Sequence, residues 1–238
     1  MTDLAHPQDA DSAELTPPCV AVIADLVASR QFTDPAERTD VQDTLRALVE
    51  KFNDEYSSAL VSRFVITIGD ELQGLLSSAD IIPDFVWLLE EEFGATDVRF
   101  GFGNGVIHTR PRARAVGMDG PAFHAARRAL AIAKTRSKLG GVFEGFGEMD
   151  PALNGLARLL RRVRDDWTDK QRDVVRRLRQ GDEPAQIART LKISPQAVSQ
   201  HMRAAWWDAY QEAETGWRKS LSLFDTSKEW AAQGWTAQ

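Results

Sequence analysis

Apolar positions along this chain alternate between strand-like runs and helical stripes. Residues 19–24, CVAVIA, form an unbroken apolar run rich in β-branched side chains, which predicts a buried strand, and Asp25 follows at once. From 38 to 56 the period changes, and Val41, Leu45, Leu48, Val49 and Phe52 share a helical face. Residues 60–68 return to a strand pattern. Gly69, Asp70 and Glu71 interrupt it and residues 72–76 resume it, which predicts a hairpin with a charged tip. A second amphipathic helix is expected over 81–93, through Ile82, Phe85, Val86, Leu88 and Leu89. The stretch 98–107, VRFGFGNGVI, carries Gly101, Gly103 and Gly105, and predicts a strand closely approached by another backbone or a ligand. A third helix is expected over 120–138, followed by a glycine-rich hairpin or loop to 149. This order predicts an α+β domain over 19–152, ferredoxin-like (palm or cyclase-like), with helices on one face of a mostly antiparallel sheet. A domain boundary is expected between 149 and 156.

Residues 168–207 show a different pattern. Thr168 and Gln171 have capping-box spacing, Val174, Val175 and Leu178 recur on one face, and Gly181 ends that helix. Ile187, Ala188 and Leu191 stripe a short second helix, and Lys192 and Ile193 form a turn. Ser194 caps a third helix that has Pro195 at its first position. Val198 and Met202 point that helix back onto the second, leaving Gln196, Ala197, Ser199, Gln200 and Arg203 outward. The prediction is an all-α helix-turn-helix domain over 153–216, whose third helix enters a major groove. Ser194, Arg176 and Arg177 are expected to join the DNA contact. Residues 206–217 are expected to extend the third helix. The tail, 217–238, holds Trp217, Phe224, Trp230 and Trp235, which should dock on their own chain or on a second subunit.

Charge sharpens this picture. The 238 residues carry a net charge of −6. Residues 1–155 hold fourteen Lys/Arg against twenty-four Asp/Glu, whereas residues 156–219 hold fourteen against nine. A basic segment on an acidic chain suits a phosphate-facing module, although arginines such as Arg158, Arg161, Arg162 and Arg164 also fit a solvated helix face. The single cysteine, Cys19, excludes an internal disulfide and a cysteine-rich zinc site. No apolar run is long enough for a bilayer and the first residues do not resemble a signal peptide, so a cytoplasmic protein without a membrane partner is expected. Residues 1–18 are polar, end in Pro17-Pro18 and read as a flexible tail.

Asp25 ends the first strand and Asp70-Glu71 sits at the hairpin tip, and a palm fold makes these places neighbours. Paired carboxylates there bind a hard cation such as Mg²⁺ together with phosphates. The alternative is that Asp25 caps the next helix and Asp70 serves a turn. The alternating glycines have strand spacing, which excludes a dinucleotide fingerprint. His108 and His124 lack a metal-ligand partner at useful spacing. Arg110, Arg112 and Arg114 read as a solvated loop, with phosphate binding as the other option.

Four segments, IADLVASR (23–30), TIGDELQGLL (67–76), VRFGFGNG (98–105) and MDGPAFHAARRA (118–129), resemble the SatD family of bacterial proteins, over about 19–207. More distantly they resemble class III nucleotide cyclases and GGDEF diguanylate cyclases. Residues 168–207 resemble the trihelical DNA-binding domains of LuxR-type regulators and of sigma factors. The cyclase resemblance implies Asp25 and Asp70 as metal ligands and Glu71 as the acidic position of the GGDEF signature. It also implies Arg127 or Arg128 as the arginine offered to the transition state. The chain departs one turn earlier, where cyclases carry Asn: His124 precedes Arg128, and Phe123 precedes Arg127. The resemblance therefore implies a nucleotide site, with Mg²⁺, formed by Asp25, Asp70, Glu71 and Arg128 but lacking the groups for turnover. The expected function is a dimeric transcriptional regulator on double-stranded DNA, with a non-catalytic domain for nucleotide sensing or dimerisation. The alternative is a metal-dependent nucleotidyl cyclase with a DNA-binding appendage.

Overall fold

A computed structural model of the chain describes residues 16–26, 35–67, 70–94, 98–136 and 140–235. Most of the expected flexible tail, Ile68 and Gly69 of the hairpin, and the last residues of the expected third helix lie outside that set. The elements are β1 (Cys19–Leu26), α1 (Pro35–Glu55), β2 (Leu60–Ile66), β3 (Glu71–Leu76), α2 (Ile82–Phe93), β4 (Val98–Gly105), α3 (Pro121–Thr135) and β5 (Val142–Glu144). They continue as α4 (Asp150–Asp165), α5 (Asp169–Arg179), α6 (Pro184–Leu191), α7 (Pro195–Ala204), α8 (Trp207–Leu221) and α9 (Ser227–Ala232). The class is α+β, with one five-stranded sheet in the order β2-β3-β1-β4-β5. The first four strands pair antiparallel and β5 joins β4 in parallel.

β1 lies at the centre of the sheet, and all eight of its residues are buried. Its unbroken apolar run reflects cover on both faces. Val20, Val22, Ala24 and Leu26 pack with Leu45, Val49 and Phe52 of α1 and Phe85, Val86 and Leu89 of α2. Cys19, Ala21 and Ile23 pack on the other face with Ala122, Phe123, Ala126 and Leu130 of α3. The expectation of helices on one face is corrected: α3 forms a second layer. The glycines of β4 make that layer close. A Cβ at Gly101 would stand 2.3 Å from the Ala126 carbonyl oxygen, and one at Gly103 only 2.2 Å from the Ala122 carbonyl oxygen. The approaching group foreseen from the sequence is therefore the α3 backbone.

The core does not stop at the sheet. Phe100, Phe102, Phe143, Leu153, Leu160, Trp167, Val175, Tyr210, Trp217 and Leu221 belong to one buried cluster. It runs through the interval 149–156 and draws α4 and α8 onto the sheet layer. Stacking of Phe102 on Phe143 (4.5 Å) and an edge contact from Phe143 to Trp217 (5.7 Å) make the link.

A second correction concerns the expected extension of the third helix. α7 stops at Ala204, Trp206 adopts a left-handed conformation (φ 56°), and α8 starts afresh at Trp207. This turn lets α8 bury Trp207, Tyr210 and Trp217. The aromatic tail docks on its own chain. The Trp230 indole N–H donates to the Pro18 carbonyl (3.1 Å), that of Trp235 donates to the Val61 carbonyl (2.5 Å), and Phe224 meets Phe146 edge-on.

Candidate functional site

α5, α6 and α7 close around a small core of their own, Val174, Ile187, Ala188 and Val198, with Leu178, Leu191, Ile193 and Met202 at its margin. The local signals that build the trio are all in place. Thr168 and Gln171 form the reciprocal capping box, and the Ser194 hydroxyl accepts from the Ala197 amide at 3.1 Å. Gly181 (φ 88°) and Lys192 (φ 55°) supply the two left-handed turns.

The remaining surface of α7 is polar. Ser194, Gln196, Ser199, Gln200 and Arg203 are exposed and Ala197 is half-buried. Arg203 Nε donates to the Ser199 carbonyl at 3.4 Å, and the Ser199 hydroxyl donates to the Pro195 carbonyl at 3.2 Å. The amides of Gln196 and Gln200 lie on the same exposed side.

Many basic residues of the segment turn inward or pair with acids. Arg161 and Arg164 are buried beside Glu90 of α2, at 3.2 and 2.6 Å. Burial works against the Arg164 charge, but Glu90 and the Tyr210 hydroxyl outweigh it and raise its pKa. Arg179 reaches Glu214 and Asp84 and lies 4.3 Å over the Trp87 ring. Arg176 donates to Glu91 at 2.7 Å, and Arg177 pairs with Asp182 at 3.3 Å. The two arginines expected at phosphates thus also tie α5 to α2 and to its own C-terminal turn. Lys170, Arg189 and Lys192 also lie on the trio, and all three are exposed. They stand singly in the sequence rather than in runs, so local spacing gives no signal for them.

The carboxylates converge at one end of the sheet. Asp25 is opposite Glu71 in the β1–β3 register, and the Leu26 amide donates to the Asp70 carbonyl at 3.2 Å. Asp25 and Asp70 are both buried. Cations from α3 reach two of these acids: Lys134 Nζ stands 3.1 Å from Asp25, and Arg127 donates to Glu71 at 3.0 Å and to Gln73 at 3.4 Å. Arg128 pairs with Glu144 of β5 instead, at 2.5 Å. One turn before Arg127, Phe123 is buried in the second core, while His124 is exposed and bonded to Asp119 at 2.8 Å. Ile66, Thr67, Glu71, Gln73, Met118 and Arg127 line an open pocket of about 690 Å³. Hard oxygen donors at Asp25 and Asp70 match Mg²⁺ in kind, but the Lys134 ammonium already offsets the Asp25 charge. Among the described residues, no group of three or more His, Cys, Asp or Glu is placed to hold a metal ion. Among the same residues, no helix is long and apolar enough to cross a membrane.

No curated protein matches the chain significantly. The model of the SatD family matches residues 19–215, from the first residue of β1 into α8, and the chain belongs to that family.

Proposed function

We propose that this chain is a DNA-binding transcriptional regulator in which α5–α7 act as a helix-turn-helix and α7 is the recognition helix. One observation carries the reading. Caps, turns and core of the trio fall in register and leave Gln196, Ser199, Gln200 and Arg203 exposed along α7. Amide and guanidinium groups at this spacing suit base edges in a major groove. Lys170, Arg189 and Lys192 join Arg176 and Arg177 as phosphate contacts, and Ser194 and Ala197 sit at the entering end of the helix. A two-fold arrangement on double-stranded DNA would supply the buried area that one such module lacks. The aromatic tail, spent on its own chain, is not the surface for it.

The α+β half is read as a ferredoxin-like, cyclase-related sensing domain. Its strand order β2-β3-β1-β4 supports this. The effector site is proposed at the pocket beside Glu71 and Arg127, with Asp25 and Asp70 as donors for Mg²⁺ and a nucleotide as ligand. Arg127 takes the phosphate-facing role, because Arg128 is turned to Glu144. Phe123 cannot donate a hydrogen bond to a transition state, so binding without turnover is expected.

The test of the DNA arm is a band-shift titration. Arg203→Ala and Gln200→Ala should each lose about 1–3 kcal/mol of specific affinity. Wild-type affinity in both variants, on a site that the wild type distinguishes from random DNA, removes α7 from the recognition role. Calorimetry with Mg²⁺, ATP, GTP and cyclic nucleotides tests the sensing arm, with Asp25→Ala/Asp70→Ala as control. Product formation at about 1 per second or faster would favour a nucleotidyl cyclase instead.

A further inference from the structure

Trp206 is placed at a double cost. It is 70% exposed, whereas Trp167, Trp207, Tyr210 and Trp217 are all buried. Its backbone is left-handed (φ 56°, ψ 34°) at the position following the α7 C-cap, where glycine is the ordinary residue. A bulky residue held there strains the chain, and an outlier of this kind is a reason to look for function. The backbone on either side is fixed. Ala205 is fully buried and its carbonyl accepts from the Trp167 indole at 2.8 Å, while Trp207 is buried in the main core. The indole is therefore presented on a rigid base.

Its neighbours suggest what it meets. The Trp206 amide donates to the Arg203 carbonyl at 3.1 Å, which puts Trp206 one turn beyond the exposed series Gln196, Ser199, Gln200 and Arg203. Within that series Arg203 is the charged group, and its guanidinium suits a polyanion.

We propose that Trp206 is a DNA contact that reads no sequence: its ring lies against the deoxyribose faces of the strand bordering the groove entered by α7. This rests on the DNA-binding reading above. Aromatic contacts of this type add affinity at low entropic cost, and they do so without charge. Trp206 would then add affinity without changing the number of counterions released.

The experiment is fluorescence anisotropy of a labelled mixed-sequence duplex with wild type, Trp206→Gly, Trp206→Phe and Arg189→Ala, over a salt series. Trp206→Gly should bind roughly tenfold more weakly. Its salt slope should equal that of wild type, whereas Arg189→Ala, which removes a proposed phosphate contact, should flatten it by about one. Its thermal midpoint should stay at or above the wild-type value, since glycine relieves the left-handed turn. Trp206→Phe should keep more affinity than Trp206→Gly. Undiminished binding by Trp206→Gly, or a phenylalanine variant as weak as the glycine one, overturns the contact. So does light scattering in which Trp206→Gly alone halves the mass, because the indole then belongs to a chain–chain contact. A wild type that does not bind the duplex at any salt overturns the DNA-binding reading itself, and this inference with it.

Discussion

Glu90→Gln tests how the helical half is held to the sheet half. Glu90 lies on the core side of α2 and is 6% exposed. Its two carboxylate oxygens accept from different arginines of α4, Arg161 at 3.2 Å and Arg164 at 2.6 Å. Glutamine keeps the shape and one acceptor but removes the charge. Arg161 retains Asp165 at 2.7 Å. Arg164 loses its direct ion pair and keeps the neutral Tyr210 hydroxyl at 3.0 Å, with the Glu214 charge nearby. A buried guanidinium stripped of its counter-charge costs about 3–5 kcal/mol, a large part of the roughly 5–15 kcal/mol that holds a typical domain together. The neighbouring pair supplies the control. Glu91 meets Arg176 where the arginine side chain is 47% exposed, so Glu91→Gln should cost at most about 1 kcal/mol. Urea titrations followed by tryptophan fluorescence measure both. Should Glu90→Gln and Glu91→Gln prove equally mild, each within about 1 kcal/mol of wild type, the claim that Glu90 anchors α4 is wrong.

The same packing sets two further outcomes. Gly103→Ala drives a methyl into the α3 backbone at 2.2 Å and should destabilise by about 1–3 kcal/mol or more, whereas Gly155→Ala, with nothing within 4 Å, should be neutral or mildly stabilising in the same urea assay. Burial pushes the Tyr210 hydroxyl up to about 12, so the folded state favours the neutral phenol; the associated stability is present below about pH 10 and is lost as pH rises towards 12. Tyr56 is shifted upwards as well, mainly by burial, so a urea midpoint series should show Tyr210→Phe reducing this alkaline loss without abolishing it.

Local pattern determined a large part of this protein. Period-two and period-3.6 spacing located the strands and helices, because one face of each is taken out of water. The caps at Thr168 and Ser194 and the turn at Gly181 were legible because they are made by residues at most three positions apart. The meeting of Asp25 with residues 70–71 was legible from element order, since a β1–β3 pairing places strand end against hairpin tip.

Tertiary structure decided the rest. Whether Gly101 and Gly103 admit a ligand or a helix depends on what lies above the sheet, and α3 occupies that place. Which arginines are available to a partner was hidden, because Arg161, Arg164, Arg176 and Arg179 find acids 71 to 95 residues away on α2. No spacing rule within a helix reveals such a partner. The same holds on α3, where the choice between Arg127 and Arg128 turns on which faces Glu71 and which Glu144. The left-handed break at Trp206 was likewise invisible, since its side chain gives no local signal for that conformation. The break exists because burying Trp207, Tyr210 and Trp217 in a core made by distant strands outweighs the strain of one residue.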